Sequence, residues 1–134
     1  MSENEIATVI VDAAYKVHVA LGPGLLESVY QATLDYELKK RGLKVSLQEA
    51  LPVTYNSIKL NVGFRPDSIV EEKVIVELKS VEEIAPVHKK QLLTYLRLAD
   101  KRLGLLINFG DALIKCRITT LSQKRSVSLR GVAP

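Results

Sequence analysis

Two acidic residues and one lysine are spaced so that they could form a hydrolytic site. Asp67 precedes a short apolar run, and nine residues separate it from Glu77, which Lys79 follows two positions later. Side chains at positions i and i+2 of a β-strand lie on one face, so Glu77 and Lys79 should project together. A hairpin between the two runs would bring Asp67 beside them. Two carboxylates and an amine at one point suit a magnesium-dependent site that hydrolyses phosphodiesters.

The context of the Glu-x-Lys triplet matters because the triplet occurs three times, at 37–39, 71–73 and 77–79. The first lies in a helical pattern, where residues i and i+2 point about 200° apart and cannot share a ligand. The second lies in a polar turn. The third lies on an apolar strand, where a charge is costly unless it is paired, hydrogen-bonded or bound to an ion. The residues alone leave open that Glu77 and Lys79 are solvent-facing positions of a half-buried strand.

The composition is typical of a globular protein. The chain has 134 residues, 47% of them apolar and 25% charged, which fits one domain with a sizeable core. Its formal charge of +4 is compatible with a polyanionic partner. The single cysteine, Cys116, excludes an intramolecular disulfide framework, and we expect it to pack in a strand. Because the sequence has no secretory signal pattern and no apolar run of about 20 residues, we expect a cytoplasmic protein with no membrane partner.

Three segments carry helical patterns. Ser2 and Glu5 fit a capping box that starts the first helix, and Gly22 should end it. A second helix is predicted over residues 25–41. Its predicted apolar positions are Leu26, Val29, Leu34 and Leu38. A third helix is predicted over residues 86–99, because a proline suits its first position.

The other patterned segments predict strands and complete an α/β fold with a mixed central β-sheet flanked by helices. The predicted strands are 44–47, 51–55, 58–70, 74–81, 103–109 and 112–118. The continuous apolar run 103–109 suits a central strand covered on both faces, and the helix before it should make it parallel to 74–81. We expect one domain over residues 1–121 and a basic, flexible C-terminal tail over residues 122–134.

The charged residues resemble a known signature. Pro66-Asp67, nine residues and then Glu77-x-Lys79 have the form of the PD-(D/E)XK nuclease motif. The predicted order of helix, three strands, helix and strand over residues 25–109 is similar to the core of that superfamily. The resemblance implies a single-domain PD-(D/E)XK nuclease-like fold.

A second resemblance covers most of the chain. The segment 17–30 resembles the defining segment of the small bacterial GxxExxY proteins, with Gly24, Glu27 and Tyr30 as the letters of that name. Further matching segments are 74–79, 91–96 and 103–109. Together they extend the resemblance over about residues 5–118.

The resemblance implies a magnesium site built from Asp67, Glu77 and the backbone carbonyl of Leu78, with Mn²⁺ as a substitute ion. Glu27, at the start of the second helix, would hold a metal-bound water or a second ion. Lys79 would orient the attacking water or help to deprotonate it, and the metal would lower the pKa of that water. The helix dipole alone would also explain an acid at Glu27.

Gln91 and Tyr95 are spaced i, i+4 and therefore share a helix face. They resemble a Gln-x-x-x-Tyr motif that lines the site in RecB-like members of the superfamily, which implies that they position the scissile phosphate. The residues implied to bind substrate are Tyr30, His18, Lys89 and Lys90. Without the resemblance, packing in the core explains both tyrosines and a surface position explains Gln91.

These observations predict a metal-dependent nuclease that hydrolyses phosphodiester bonds, with DNA favoured over RNA. The resemblance also implies a homodimer, because small members of the superfamily often pair two active sites across a duplex. Two alternatives stay open. The fold could be a catalytically inactive module that binds nucleic acid or a protein partner, or it could be a metal-dependent phosphoesterase that acts on small nucleotides.

Overall fold

A computed structural model describes residues 1–121, except for the side chains of residues 61 and 62. The predicted tail, residues 122–134, lies outside the described part. In chain order the elements are α1 (Glu3–Leu21), α2 (Glu27–Lys40), β1 (Val45–Leu47), β2 (Leu51–Tyr55), β3 (Ile58–Phe64), β4 (Ser68–Val70), β5 (Val74–Lys79), α3 (Pro86–Ala99), β6 (Leu103–Asn108) and β7 (Lys115–Thr120).

The centre of the protein is a five-stranded mixed sheet in the order β1-β4-β5-β6-β7. Strands β5 and β6 are parallel, and every other pair in this sheet is antiparallel. All of β6 and all of β5 except its last residue are buried, because α1 and α2 cover one face of the sheet and α3 covers the other. The predicted α/β fold with a mixed central sheet is therefore confirmed.

Helix α1 begins and ends where local signals predict. The Ser2 side chain accepts a hydrogen bond from the Glu5 amide, and the Glu5 carboxylate accepts one from the Ser2 amide. Gly22, with φ of +73°, ends the helix in a backbone conformation that favours glycine. Ile6 and Ile10 lie on the buried side of α1 and pack against the sheet.

The predicted apolar side of the second helix is partly wrong. Leu26 is 75% exposed and Val29 is also exposed, because α2 begins only at Glu27 and Leu26 is its capping residue. The buried residues of α2 follow i, i+4, i+7 and i+8 spacing: Tyr30, Leu34, Glu37 and Leu38. Val29 lies one position before this series and so falls outside the buried stripe.

The predicted single strand over residues 58–70 is wrong. It is two strands in two different sheets: among the described residues β3 pairs with β2 alone, whereas β4 lies between β1 and β5. The break falls at residues 65–67. Pro66 has no backbone N–H to donate to a sheet ladder, so the strand cannot continue through it. Asp67 consequently lies just before β4.

Smaller shifts affect three other predictions. Strand β5 ends at Lys79 rather than at residue 81, β6 ends at Asn108, and β7 runs over Lys115–Thr120, later than the predicted 112–118. The predicted antiparallel pairing of the last two strands is confirmed. Cys116 is half-buried in β7, and burial raises the pKa of its thiol to about 11. Among residues 1–121, no helix is long and apolar enough to cross a membrane.

Candidate active site

The pairing of β4 with β5 brings Asp67 beside Glu77. Ser68 pairs with Val76 in an antiparallel ladder. Asp67, one residue before Ser68, therefore lies opposite Glu77, one residue after Val76. The Asp67 amide donates a hydrogen bond to Glu77 Oε1 at 3.0 Å, and the Leu78 amide donates one to Asp67 Oδ2 at 2.7 Å. Each carboxylate thus has one oxygen fixed by a backbone amide, and no amide of the described residues binds the other oxygen.

Asp67 and Glu77 are so close that a negative charge on one disfavours a negative charge on the other. Glu77 is only 8% exposed, and burial together with the nearby charge of Asp67 raises its pKa to about 8. The Asp67 amide and the charge of Lys79 lower this pKa but do not outweigh burial. A bound cation would remove the conflict, because it would neutralise both carboxylates. The chemistry of this pair therefore fits a divalent metal ion.

Lys79 lies on the same face of β5 as Glu77, at the end of the strand. Its side chain is half-buried and forms no ion pair with a residue in the described part of the chain. Its backbone carbonyl accepts a hydrogen bond from Phe109 at 2.8 Å, which fixes the strand end against β6. The Leu78 side chain points to the opposite, α1–α2 face. The role of the Leu78 carbonyl as a metal ligand stays a prediction.

Glu27, the first residue of α2, shares an open cleft of about 450 Å³ with Asp67 and Leu78. Its Oε2 accepts a hydrogen bond from the Ser80 amide at 3.3 Å. Across residues 1–121, however, no group of three or more His, Cys, Asp and Glu residues lies close enough to hold one metal ion. Glu27 thus faces the same cleft as Asp67 but does not join the pair in a single three-acid cluster.

A buried asparagine, which the sequence did not indicate, holds the segment that follows Lys79. Asn108 is 1% exposed; its Nδ2 donates to the Val81 carbonyl at 2.8 Å. Its Oδ1 accepts from the amides of Val81 at 3.1 Å and Gly110 at 3.0 Å. A side chain at Gly110 would collide with the backbone of Val81, so this close approach requires glycine. A polar residue at the end of the apolar run 103–107 was the available signal.

The same segment is tied to the start of α2. The Ser80 hydroxyl donates to the Leu25 carbonyl at 2.6 Å, while the Ser80 amide binds Glu27. Residues 80–81 therefore connect β6 to the Glu27 end of α2. Because Lys79 immediately precedes this segment, Asn108 and Ser80 together fix the strand end that carries it.

Tyr95 is half-buried on α3, whereas Gln91 is exposed. Burial first, and then the charges of Glu77 and Asp67, raise the pKa of Tyr95, so the phenol lies within the field of both carboxylates and stays protonated at neutral pH. The Tyr95 ring stacks on Phe64, with centroids 4.6 Å apart. Gln91 is exposed one helical turn earlier on α3.

The structure does not place Tyr30 or His18 where they could bind substrate. Tyr30 has 0% exposure; its hydroxyl donates to the Gly22 carbonyl, accepts from the Leu25 amide at 3.2 Å, and its ring stacks on Phe109. The His18 ring is buried and donates from Nε2 to the carbonyl of Asp111 at 2.9 Å. Both predicted substrate contacts are therefore corrected to internal hydrogen bonds that hold the loops after α1 and β6.

Lys89 and Lys90 lie near the start of α3. Lys89 is half-buried and lines a second cleft, beside β7, whereas Lys90 is exposed. Neither forms an ion pair with an acid of residues 1–121. Their predicted contact with a phosphate backbone stays a prediction.

Comparison with known proteins identifies the class to which this fold and site belong. Residues 4–121 match the family model of the PD-(D/E)XK nuclease superfamily, and the chain belongs to that superfamily. No curated protein matches the sequence.

Two solved structures are similar to this chain. The crystal structure of SSO0001 has 19% sequence identity and a TM-score of 0.54 over 78% of this chain and 56% of that one. The chain thus spans little more than half the length of SSO0001, and this likeness supports the fold alone. The alkaline exonuclease LHK-Exo from Laribacter hongkongensis has 11% identity and a TM-score of 0.49 over 97% of this chain and 88% of that one.

Proposed function

We propose that this protein is a metal-dependent nuclease that hydrolyses phosphodiester bonds, with DNA as the favoured substrate. The observation that carries the proposal is the pair of buried Glu77 and half-buried Asp67, each with one oxygen fixed by a backbone amide, next to Lys79 on the same face of β5. A fold that only binds a partner has no evident need for a buried glutamate beside a second acid that repels its charge. Membership of the superfamily supports the same activity.

The proposed metal ion is Mg²⁺, with Mn²⁺ as a substitute. Asp67 and Glu77 would bind it through the oxygens that no amide of residues 1–121 holds, and the Leu78 carbonyl is the third proposed protein ligand. Glu27 would act through water from across the shared cleft, since it does not join the pair in one cluster. When bound, the ion would supply Lewis acidity at the phosphate and a more acidic water.

The protein's own side chains would position the substrate. Lys79 would orient the attacking water and offset negative charge on the phosphate. Because the Tyr95 phenol stays protonated, it would donate a hydrogen bond to a phosphate oxygen. Gln91, one turn away on the same helix, would contact the flanking backbone, and Lys89 and Lys90 would attract it through charge.

Finer assignments belong to the same proposal. We place the chain among the GxxExxY proteins on the basis of Gly24, Glu27 and Tyr30. In this group Tyr30 would serve the fold rather than the substrate, since it supports the loop that leads to Glu27. A homodimer that acts on both strands of a duplex and a cytoplasmic location complete the proposal.

A nuclease assay tests the proposal directly. Purified protein is incubated with single-stranded, duplex and branched DNA and with RNA, in Mg²⁺ or Mn²⁺, beside Glu77→Ala and Lys79→Ala. We expect divalent-ion-dependent cleavage by the wild type and none by either variant. Cleavage that survives both substitutions would contradict the proposed mechanism. Binding without cleavage under every condition would favour an inactive module, and hydrolysis of mononucleotides only would favour a small-molecule phosphoesterase.

A further inference from the structure

We infer that the cleft beside β7 holds the nucleic-acid backbone a few nucleotides away from the scissile bond. We call it the β7 cleft: it has a volume of about 760 Å³, and its basic residues are Lys89, Lys115 and Arg117. The inference rests on the proposed nuclease function and names the path of the substrate strand. Lys115 and Arg117 are the residues to which it gives a new role.

The strand register connects the β7 cleft to the acid pair. Side chains of directly paired residues on neighbouring strands lie on the same face of a sheet. The two cross-strand rows are Lys79–Asn108–Lys115 and Glu77–Leu106–Arg117. Lys115 therefore lies in the same row as Lys79, and Arg117 lies in the same row as Glu77. All four side chains belong to the face of the sheet that α3 covers only in part.

The separation of the two sites matches a polymeric ligand. Two strand spacings of about 4.8 Å place Lys115 about 10 Å from Lys79. At a rise of about 3.4 Å per nucleotide, this distance corresponds to about three nucleotides. A phosphodiester chain whose scissile phosphate lies at Asp67 and Glu77 can therefore reach both cations.

The charges of the β7 cleft leave its cations available. None of Lys89, Lys115 and Arg117 forms an ion pair with another residue between positions 1 and 121. Three acids line the same cleft: Glu82 and Glu83, from the loop between β5 and α3, and Asp111, from the loop between β6 and β7. Their charges oppose a phosphate chain, so they should weaken its binding where the lysines and the arginine strengthen it. Substitutions of the two kinds should thus have opposite effects.

Binding experiments test the inference without any cleavage. The affinity of a fluorescein-labelled oligonucleotide is measured by anisotropy in EDTA over a salt series. We expect Lys115→Gln and Arg117→Gln each to weaken binding about three- to tenfold and to reduce the slope of log affinity against log salt by about 0.7 to 0.9. The double substitution Glu82→Gln with Glu83→Gln should tighten binding. Lys101→Gln is the matched control, because Lys101 precedes β6 at the opposite end of the sheet.

A small substrate distinguishes hydrolysis at the acid pair from nucleic-acid binding in the β7 cleft. Hydrolysis of bis(p-nitrophenyl) phosphate, which can occupy only the acid pair, should proceed at the wild-type rate in Lys115→Gln and Arg117→Gln. The same variants should lose oligonucleotide cleavage through a higher KM. If binding and its salt slope match the wild type in both variants while the wild type still cleaves, the inference is wrong and the nuclease proposal stands. If the wild type neither binds nor cleaves nucleic acid, both fall.

Discussion

The Asp67 amide donates a hydrogen bond to the Glu77 carboxylate at 3.0 Å, while the Asp67 carboxylate accepts one at 2.7 Å from Leu78, the residue after Glu77. Two backbone amides, one from each of the two chain segments, thus fix one oxygen of each acid. This arrangement places the two acids side by side, so burial and the charge of Asp67 favour a proton on Glu77 at neutral pH.

The metal-free protein should lose stability as the pH rises. Glu77 has a pKa of about 8 in the folded state against an ordinary value of 4.5, so within that window the folded state holds a proton that the unfolded state has released. The contribution of Glu77 to the free energy of unfolding should be highest below pH 4.5. It should fall as the pH rises, until the pH passes about 8. Thermal unfolding in EDTA across this range measures the effect. Glu77→Gln should flatten the dependence; an equally steep decline in that variant would assign it to other groups.

Divalent ions should stabilise the folded protein through the same pair. A ligand at 100 times its Kd that binds only the folded state adds about 2.7 kcal/mol to the free energy of unfolding. We expect Mg²⁺ or Mn²⁺ to raise the Tm of the wild type and to leave that of Asp67→Asn nearly unchanged. Asp35→Asn is a suitable control, because Asp35 lies on α2 and pairs with Lys39 outside the site. An equal rise in Tm for wild type and Asp67→Asn would place the ion elsewhere.

Asn108→Leu should reduce cleavage because it releases the segment after Lys79. It leaves the Val81 amide, the Val81 carbonyl and the Gly110 amide without the partner they have in the wild type, at about 1–3 kcal/mol for each group. We expect kcat to fall with little change in KM when the assay is run well below the Tm. Leu103→Ala, at the other end of β6, should lower the free energy of unfolding by about 2–5 kcal/mol. It should nevertheless leave kcat near the wild-type value. Equal kcat losses in the two variants would mean that Asn108 serves stability alone.

Tyr95→Phe should keep the stack on Phe64 but remove the hydroxyl that lies near the acids. We expect about a tenfold loss in kcat/KM, equivalent to about 1.4 kcal/mol, with no loss of thermal stability. Phe64→Leu removes the stacking partner and should reduce kcat/KM through displacement of Tyr95, whereas Phe64→Tyr should preserve it. Steady-state kinetics on one oligonucleotide compare the three variants. Wild-type kinetics in Tyr95→Phe would exclude a role for the phenol.

Local signals in the sequence predicted much of the fold. The capping box at Ser2 and the proline at position 86 place two helix starts, because both signals act through residues close in the chain. The apolar run 103–109 predicted a central strand because only a strand covered on both faces tolerates such a run. Strand parity likewise predicted that Glu77 and Lys79 share a face.

Features that depend on distant partners could not be predicted in this way. The division of residues 58–70 between two sheets is set by which strands pair, and both halves carry a similar strand pattern. The hydrogen bonds from Asn108 reach Val81, 27 positions away in the chain. Tyr30 lies at a helix position that predicted either packing or substrate contact, and only the loop at Gly22 and the ring of Phe109 determine that it is buried.

The most direct test compares two buried glutamates that each begin a Glu-x-Lys triplet. Glu77 and Glu37 are both 8% exposed, but Glu37 lies on α2 and pairs with Lys16. Single-turnover cleavage of a labelled DNA duplex in Mg²⁺ is measured for Glu77→Gln and Glu37→Gln at a temperature where both are folded. We expect Glu77→Gln to abolish cleavage and Glu37→Gln to cleave at close to the wild-type rate. Undiminished cleavage by Glu77→Gln would contradict the assignment of the Asp67–Glu77 pair as the catalytic centre.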